Sequence, residues 1–203
     1  MKTGNRSRST TLLGLLTALL LILSMTPLGY LNIGPLAISF NMIPVAVGAA
    51  ALGPVGGAVL GAVFGMTSFM QCLGIGGSSI MGVILFDINP FYAFVQRFVP
   101  RLVTGFAIGW IYRGARKFFG AAIAGSIAGF FAALLNTALF MGALVLLFGN
   151  TQYVQDLMKG QNVLLFICTF VGLNAVMEML ASTLVTGALC TALERARHMG
   201  GGK

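Results

Sequence analysis

The chain has 203 residues and a mean hydropathy of +0.96; 58% of its residues are hydrophobic and 8% are charged. Soluble domains carry roughly 25% charged residues, so this composition excludes a soluble protein. The apolar runs are continuous rather than alternating, which argues against a β-barrel and predicts one all-α membrane domain over residues 1–203 with about six transmembrane helices. The net charge of +8 comes from basic clusters between apolar runs, which are typical of cytoplasmic loops and do not indicate nucleic-acid binding.

The first predicted span covers residues 10–25 and ends before Pro27. Its basic flank and apolar run resemble a signal peptide, but no small-residue cleavage site follows, so we interpret it as a retained span. Thr10, Gly14 and Ala18 are four residues apart, and small residues at this spacing form a helix face that another helix can approach closely. Two interpretations remain open at this point: packing within this chain, or docking onto a separate membrane subunit.

Spans two and three are predicted at residues 41–52 and 55–70, and Leu52-Gly53-Pro54 predicts a tight turn between them. Span two is short for a membrane core that is about 30 Å thick. Span three carries a second small-residue stripe, which predicts close contact with another helix: Gly57, Gly61 and Gly65. The following loop at 71–89 combines glycines and serines with an apolar run, and is a candidate for partial re-entry into the membrane.

Span four, at residues 90–112, begins at Pro90, whose missing N–H suits the first turn of a helix. Pro100 is expected to kink this helix and to free backbone groups nearby. Arg97 is expected to extend its side chain to the membrane interface. Arg101 lies one turn deeper and is expected to face the interior of the bundle.

Spans five and six, at residues 121–148 and 163–189, carry polar groups at membrane depth. Asn136 lies near the middle of span five, while Asn174 and Glu178 are four residues apart and therefore share one face of span six. A carboxylate within a membrane span is costly and usually faces the bundle interior, so Glu178 marks a functional site.

The basic residues predict the orientation of the chain in the membrane. If the N-terminus is cytoplasmic, most of them fall at cytoplasmic loop ends: Lys2, Arg6, Arg8, Arg113, Arg116, Lys117, Arg195, Arg197 and Lys203. Lys159 is then the only lysine or arginine in an outer loop, so both termini are predicted to be cytoplasmic.

The sequence lacks the motifs of several enzyme classes. Its single histidine, His198, lies beyond the last span, and no G-x-S-x-G, H-E-x-x-H or P-loop motif occurs. The cysteines are isolated, without the spacing of a metal or redox site: Cys72, Cys168 and Cys190. We therefore predict that the protein is not an enzyme and needs no cofactor or metal. Any energy for transport would come from partner subunits.

The polar groups at membrane depth predict a pocket near the outer face: Arg97, Arg101, Asn136, Asn174 and Glu178. The planar fork of arginine suits a carboxylate, and amide side chains suit hydroxyl or amide groups. The pocket is therefore predicted to take a small, polar and possibly anionic solute. One alternative remains open, in which Arg101 and Glu178 only neutralise each other.

A succession of short motifs extends over nearly the whole chain: Thr10/Gly14/Ala18, Thr26-Pro27-Leu28-Gly29, Leu52-Gly53-Pro54 with Gly57, Gly61 and Gly65, Phe98-Val99-Pro100-Arg101, Asn136-Thr137, and Asn174 with Glu178. In this order the motifs resemble those of the substrate-binding S-components of energy-coupling-factor vitamin transporters, most of all the pantothenate-type group. The resemblance implies a six-helix fold whose outer pocket is gated by the loops before spans two and four.

The resemblance also implies a membrane coupling subunit and two ABC-type ATPases as partners, and release of the vitamin after the S-component topples in the membrane. Thr10, Gly14 and Ala18 would form the docking surface, although Thr10 and Gly14 replace alanines that are typical of the motif. The predicted function is capture of a vitamin, pantothenate, at the plasma membrane of a prokaryote. Arg101 would then be the partner of the vitamin's carboxylate.

Other functions remain open from the sequence. Another vitamin, such as riboflavin, hydroxymethylpyrimidine or folate, has a flat ring for which four aromatic residues are available: Phe91, Tyr92, Phe94 and Trp110. A membrane assembly protein without transport activity would use the small-residue stripes only to bind other helices. An independent carrier or channel would move its solute without any ATPase.

Overall fold

The structure is a computed structural model that describes the backbone of residues 2–26, 29–33, 36–76, 79–160 and 162–200. Its helices are α1 Lys2–Met25, α2 Met42–Met70, α3 Ile80–Ile88, α4 Pro90–Ala115, α5 Ala121–Phe148, α6 Gln152–Met158 and α7 Val163–Gly200, and its strands are β1 Tyr30–Ile33 and β2 Leu36–Ser39. Four helical stretches of the described chain are long and apolar enough to cross a membrane: Ser7–Met25, Met42–Leu73, Ala121–Phe148 and Asn174–Ala196. Six spans with cytoplasmic termini stay a prediction.

The segment between α1 and α2 contains an antiparallel β-hairpin. Tyr30 lies opposite Ser39, and the N–H of Phe40 donates to the carbonyl of Gly29 at 3.0 Å, which closes the base of the hairpin. Its runs YLNI and LAIS are rich in aromatic and aliphatic residues that favour strands, although the neighbouring glycines and prolines are the stronger signal in the sequence. The hairpin brings β2 into contact with α7.

Helix α2 reverses direction at Gly53, where φ is 82° and ψ is −171°. Only glycine adopts such a conformation readily, and Pro54 then begins the second arm of the helix. A side chain at Gly57 would come within 2.7 Å of the Cβ of Ala49, so the two arms are antiparallel and touch each other. The turn predicted at Leu52-Gly53-Pro54 is therefore present, and α2 supplies two arms to the bundle.

The second arm of α2 packs closely against α4 through the predicted glycine stripe. A Cβ on Gly57 would clash with the backbone of Gly105, one on Gly61 with the carbonyl of Arg101, and one on Gly65 with Phe98. These contacts run in opposite directions along the two helices, which are thus antiparallel. This close approach places the backbone of Arg101 directly next to Gly61 of α2.

Two apolar clusters hold the remaining helices together. The first joins α1, both arms of α2, α4 and α5, and includes Leu16, Leu20, Val45, Leu60, Ile108 and Ala128. The second joins α3, α4, α5 and α6, and includes Leu85, Ala93, Met141, Leu144, Phe148 and Val154. On α4 and α5, the polar residues of interest lie between members of the two clusters.

Helix α4 continues through Pro100 as one helix, from Pro90 to Ala115. Asn89 caps its start, because its Oδ1 accepts a hydrogen bond from the N–H of Tyr92 at 3.0 Å. Pro100 has no N–H to donate, so the carbonyl of Gln96 loses its normal helical partner. The predicted free backbone group is therefore the carbonyl of Gln96, and α4 stays one continuous helix.

Candidate functional site

Arg97 and Arg101 both point into the protein, and each is 6% exposed. Arg97 donates from Nη1 to the hydroxyl of Ser68 at 3.3 Å and from Nη2 to the hydroxyl of Ser79 at 3.2 Å. Ser68 belongs to the second arm of α2, and Ser79 is the residue that caps α3. The prediction that Arg97 extends to the membrane interface is therefore wrong, because these hydroxyls hold its guanidinium inside.

Arg101 lies one helical turn further along α4, with its guanidinium between aromatic rings. Its Nη1 donates to the carbonyl of Arg97 at 2.8 Å. Its guanidinium carbon lies 4.5 Å from the ring centre of Phe140 and 5.0 Å from that of Phe64. Since a guanidinium over a ring face is attracted by the ring's quadrupole, both rings help to hold the buried charge.

Phe140 also contacts the other arginine, with its ring centre 5.2 Å from the guanidinium carbon of Arg97. Phe140 was not among the site residues predicted from the sequence. A signal was nevertheless present, because Phe140 follows Asn136 by four residues on α5 and thus shares its face. Phe140 thus places an aromatic ring of α5 against both buried arginines.

Glu178 on α7 is held by the hairpin. Its Oε1 accepts a hydrogen bond of 2.6 Å from the backbone N–H of Ser39, at the end of β2. Arg101 is near enough to attract this carboxylate electrostatically. The hydrogen bonds found among the described residues nevertheless lead the two side chains to different partners: Glu178 to Ser39, and Arg101 to Arg97. The alternative in which Arg101 and Glu178 neutralise each other stays a prediction.

Three amide side chains have buried polar atoms with no hydrogen-bond partner among the described residues. These atoms are Oδ1 of Asn136, Nδ2 of Asn174, and both Oε1 and Nε2 of Gln96. Gln96 is fully buried next to Arg97 on α4, and Asn174 is 7% exposed one turn before Glu178. A buried polar group without a partner costs free energy, so a polar molecule that supplied partners would bind here favourably.

The aromatic residues considered for stacking on a flat ring lie elsewhere. Phe91, Tyr92 and Trp110 are 68%, 41% and 57% exposed on the outer surface of α4. Phe94 stacks on Phe98, with their ring centres 5.0 Å apart. Phe64 and Phe140 are the aromatic residues found over the guanidinium groups of the buried arginines.

The small-residue stripe of α1 faces away from the rest of the chain. Thr10, Gly14 and Ala18 are exposed, and a Cβ on Gly14 would meet no atom within 4 Å. Leu16 and Leu20, on the opposite side of the helix, are buried against α2. The backbone of α1 at Gly14 is thus open to the close approach of another helix.

The other end of the bundle is basic and exposed. Arg116, directly after α4, forms an ion pair with Glu194 of α7. Arg113 lies over the ring of Trp110, at 5.5 Å from its centre, and next to Gly53 at the turn of α2. The described residues include no group of three or more His, Cys, Asp or Glu side chains placed to hold a metal ion.

Comparison with known proteins identifies a family and a curated relative. A family model described as "ECF transporter, substrate-specific component" matches residues 8–190. A curated relative, described as "Pantothenic acid transporter PanT" from Lactococcus lactis subsp. cremoris (strain MG1363), is 24% identical over 208 aligned residues, which cover 96% of this chain and 97% of the relative.

Proposed function

Because this chain belongs to the family of substrate-specific components of energy-coupling-factor (ECF) transporters, we propose that it captures pantothenate at the outer face of a prokaryotic plasma membrane. It is a multi-pass membrane protein of vitamin uptake, and its family consists of transporter components rather than enzymes. The relative described as a pantothenic acid transporter aligns over nearly the full length of both chains and supports this choice of vitamin.

The observation that carries the proposal is a pair of arginines, one helical turn apart on α4, that are both buried. Hydroxyls, a carbonyl and aromatic rings contact Arg97 and Arg101, and the nearby carboxylate of Glu178 accepts from a backbone N–H. An anionic group that entered the site would meet two cations in a region from which water is largely removed, where charge attraction is strong.

The chemistry of pantothenate fits these residues. Its carboxylate suits the planar fork of Arg101, with Arg97 adding a second positive charge. Its amide and hydroxyl groups suit the amides of Asn136 and Asn174, and its hydroxyls can donate to Glu178. In this proposal all five residues predicted from the sequence contribute to the pocket.

We further propose that the chain crosses the membrane six times with cytoplasmic termini. The exposed basic residues at the end of α4 and near the end of α7 support this orientation. The pocket then opens to the outside, since the arginines lie toward the opposite end of α4.

The proposed partners are a membrane coupling subunit and two ABC-type ATPases. The docking surface on this chain is the exposed stripe of Thr10, Gly14 and Ala18, which lets a helix of the coupling subunit approach the α1 backbone. Release of the vitamin would follow when these partners reorient the chain in the membrane.

A titration of pantothenate into the full chain, purified and reconstituted in lipid nanodiscs without ATP, tests the proposal. We expect saturable binding, and we expect Arg101→Ala to weaken it by about 2–5 kcal/mol because a buried charge partner is lost. Arg116→Ala serves as the matched control at the exposed end of the same helix and should bind as the unchanged protein does.

Two outcomes would contradict parts of the proposal. Unchanged affinity in a folded Arg101→Ala protein would remove Arg101 from the site. If the protein binds no pantothenate, mass spectrometry of small molecules retained after gentle purification would identify the vitamin that it does bind. Recovery of riboflavin, hydroxymethylpyrimidine or folate would replace pantothenate while leaving the family assignment in place.

A further inference from the structure

A chain of hydrogen bonds connects the β-hairpin to α1 through Asn41, which directly precedes α2 and is fully buried. The Nδ2 of Asn41 donates to the hydroxyl of Ser39 at 3.2 Å, and its backbone N–H donates to the same oxygen at 3.4 Å. Its Oδ1 accepts from the hydroxyl of Ser24, near the end of α1, at 3.3 Å. Asn41 thus donates two hydrogen bonds to the hydroxyl of Ser39, and Asn41 itself is held by the hydroxyl of Ser24 in α1.

The α1 end of this chain is itself fixed. The carbonyl of Ser24 accepts a hydrogen bond of 2.7 Å from Nε2 of Gln71, which lies just after the second arm of α2. Ser24 is 1% exposed and Gln71 is 7% exposed. Because water has little access to these atoms, the bonds are stronger than similar bonds at a surface.

The other end of the chain reaches the candidate site. The hydroxyl of Ser39 accepts hydrogen bonds from Asn41. The backbone N–H of Ser39 donates to Oε1 of Glu178 at 2.6 Å. Glu178 and Ser39 are 139 residues apart in the sequence. The hydrogen bonds therefore lead without interruption from Gln71 through Ser24, Asn41 and Ser39 to the carboxylate.

We infer that Asn41 is a positioning residue for the binding site: through Ser39 it fixes where the Glu178 carboxylate lies, and through Ser24 it ties that position to α1. A carboxylate that is already held in one place loses less conformational freedom when a ligand binds, which increases affinity. As far as it concerns ligand binding, this inference rests on the proposed function.

Hydrogen exchange at the amide of residue 39 tests the inference without any ligand. In the full chain in nanodiscs, this amide should be protected because Glu178 accepts its proton. Asn41→Leu and Ser39→Ala should each speed its exchange by roughly fivefold to tenfold, the equivalent of one ordinary hydrogen bond. Thr26→Val is the matched control, since the hydroxyl of Thr26 donates to the carbonyl of Ile22 in α1 at 2.7 Å, and its removal should leave the amide of residue 39 unchanged.

Ligand affinity separates a positioning role from a merely structural one. Ser39→Ala keeps the backbone N–H but removes the group that Asn41 holds, and should weaken pantothenate binding roughly fivefold. In a Glu178→Ala background the same change should have little further effect, because Ser39 acts through Glu178. Ser39→Thr restores a hydroxyl and should restore most of the affinity.

The possible results decide between the alternatives. Unchanged exchange at residue 39 in folded Asn41→Leu and Ser39→Ala proteins would overturn the inference, as would an equal loss of affinity with and without Glu178. If Asn41→Leu does not fold, Ser24→Ala and Ser39→Ala each remove only one hydroxyl and make the same test. Protein that binds no pantothenate but shows the expected exchange would contradict the proposed function and support the positioning role.

Discussion

Arg101 within α4 and Arg116 just after its end differ in what holds their guanidinium groups. Arg116 is 35% exposed and meets a carboxylate directly, that of Glu194. Arg101 is 6% exposed, and it donates to a carbonyl and lies between two aromatic rings. At the exposed end Arg116 pairs directly with a carboxylate, whereas the contacts that hold Arg101 at the buried end include neutral groups.

The two ends also differ in how their charged groups affect stability. An exposed ion pair contributes about 0–1 kcal/mol and is screened by salt, so it serves orientation and local order. Burying two arginines beside amides without full hydrogen bonding costs stability. A protein retains such an arrangement where function requires it, which supports a binding site at the buried end.

The largest expected effect comes from Gly61, where α2 supports the backbone of Arg101. Gly61→Leu would press a side chain into the carbonyl of Arg101, and we expect it to lower the free energy of unfolding by about 3 kcal/mol or to prevent folding. The measurement is the thermal unfolding of protein in detergent. Gly14→Leu is the matched control: nothing lies within 4 Å of its Cβ, so no clash arises and stability should not fall.

The same control sharpens the docking proposal. Gly14→Leu should reduce capture of this chain by a co-expressed ECF coupling subunit, because a leucine prevents close helix approach. Capture at the level of the unchanged protein would show that the α1 stripe is not the docking surface.

Arg101→Lys should have the next largest effect, and on binding rather than on folding. Lysine keeps the charge but loses the planar fork and the contacts with Phe64 and Phe140, so pantothenate affinity should fall by about 1–2 kcal/mol. Titration calorimetry measures this change. Arg116→Lys, at the exposed end, should leave affinity unaltered; if both variants lost affinity equally, the contrast between the two ends would fail.

Gln96→Leu should give a smaller effect of opposite sign on stability. Replacing a fully buried amide that has no partner in the described chain by an apolar side chain should raise the free energy of unfolding by about 1 kcal/mol. The ligand-free protein should therefore unfold at a higher temperature. A lower unfolding temperature would mean that Gln96 stabilises the ligand-free protein and is not one of the buried polar groups that lower its stability.

Arg116→Ala should have the smallest effect. Loss of its exposed ion pair with Glu194 should cost less than about 1 kcal/mol, and the difference should vanish at high salt. Unfolding temperatures at low and high salt measure it. A larger, salt-independent loss would show that the basic end also depends on a buried arrangement.

Local signals in the sequence predicted much of the helical frame. Gly53-Pro54 marked the reversal of α2, Pro90 marked the start of α4, and the glycine stripe predicted the close packing of these helices. Each of these features depends on backbone preferences or on side-chain size over a few residues, so each can be recognised without knowledge of the tertiary structure.

The parts that were missed depend on contacts between distant residues. Arg97 was expected at the interface because a long side chain can reach it, but Ser68 and Ser79 hold it inside. The bond between Ser39 and Glu178 joins residues that no local pattern connects. The inward position of Arg101 was anticipated from its depth in α4, whereas its rings, Phe64 and Phe140, were not.

The first arm of α2 is too short to cross a membrane by itself. Residues 42–52 rise only about 16 Å at 1.5 Å per residue, about half of a hydrocarbon core that is roughly 30 Å thick. Gly53, at one end of this arm, lies next to Arg113 at the basic end of the bundle. In the proposed orientation the arm therefore starts inside the hydrocarbon core, and backbone at that depth must be covered by protein or by water.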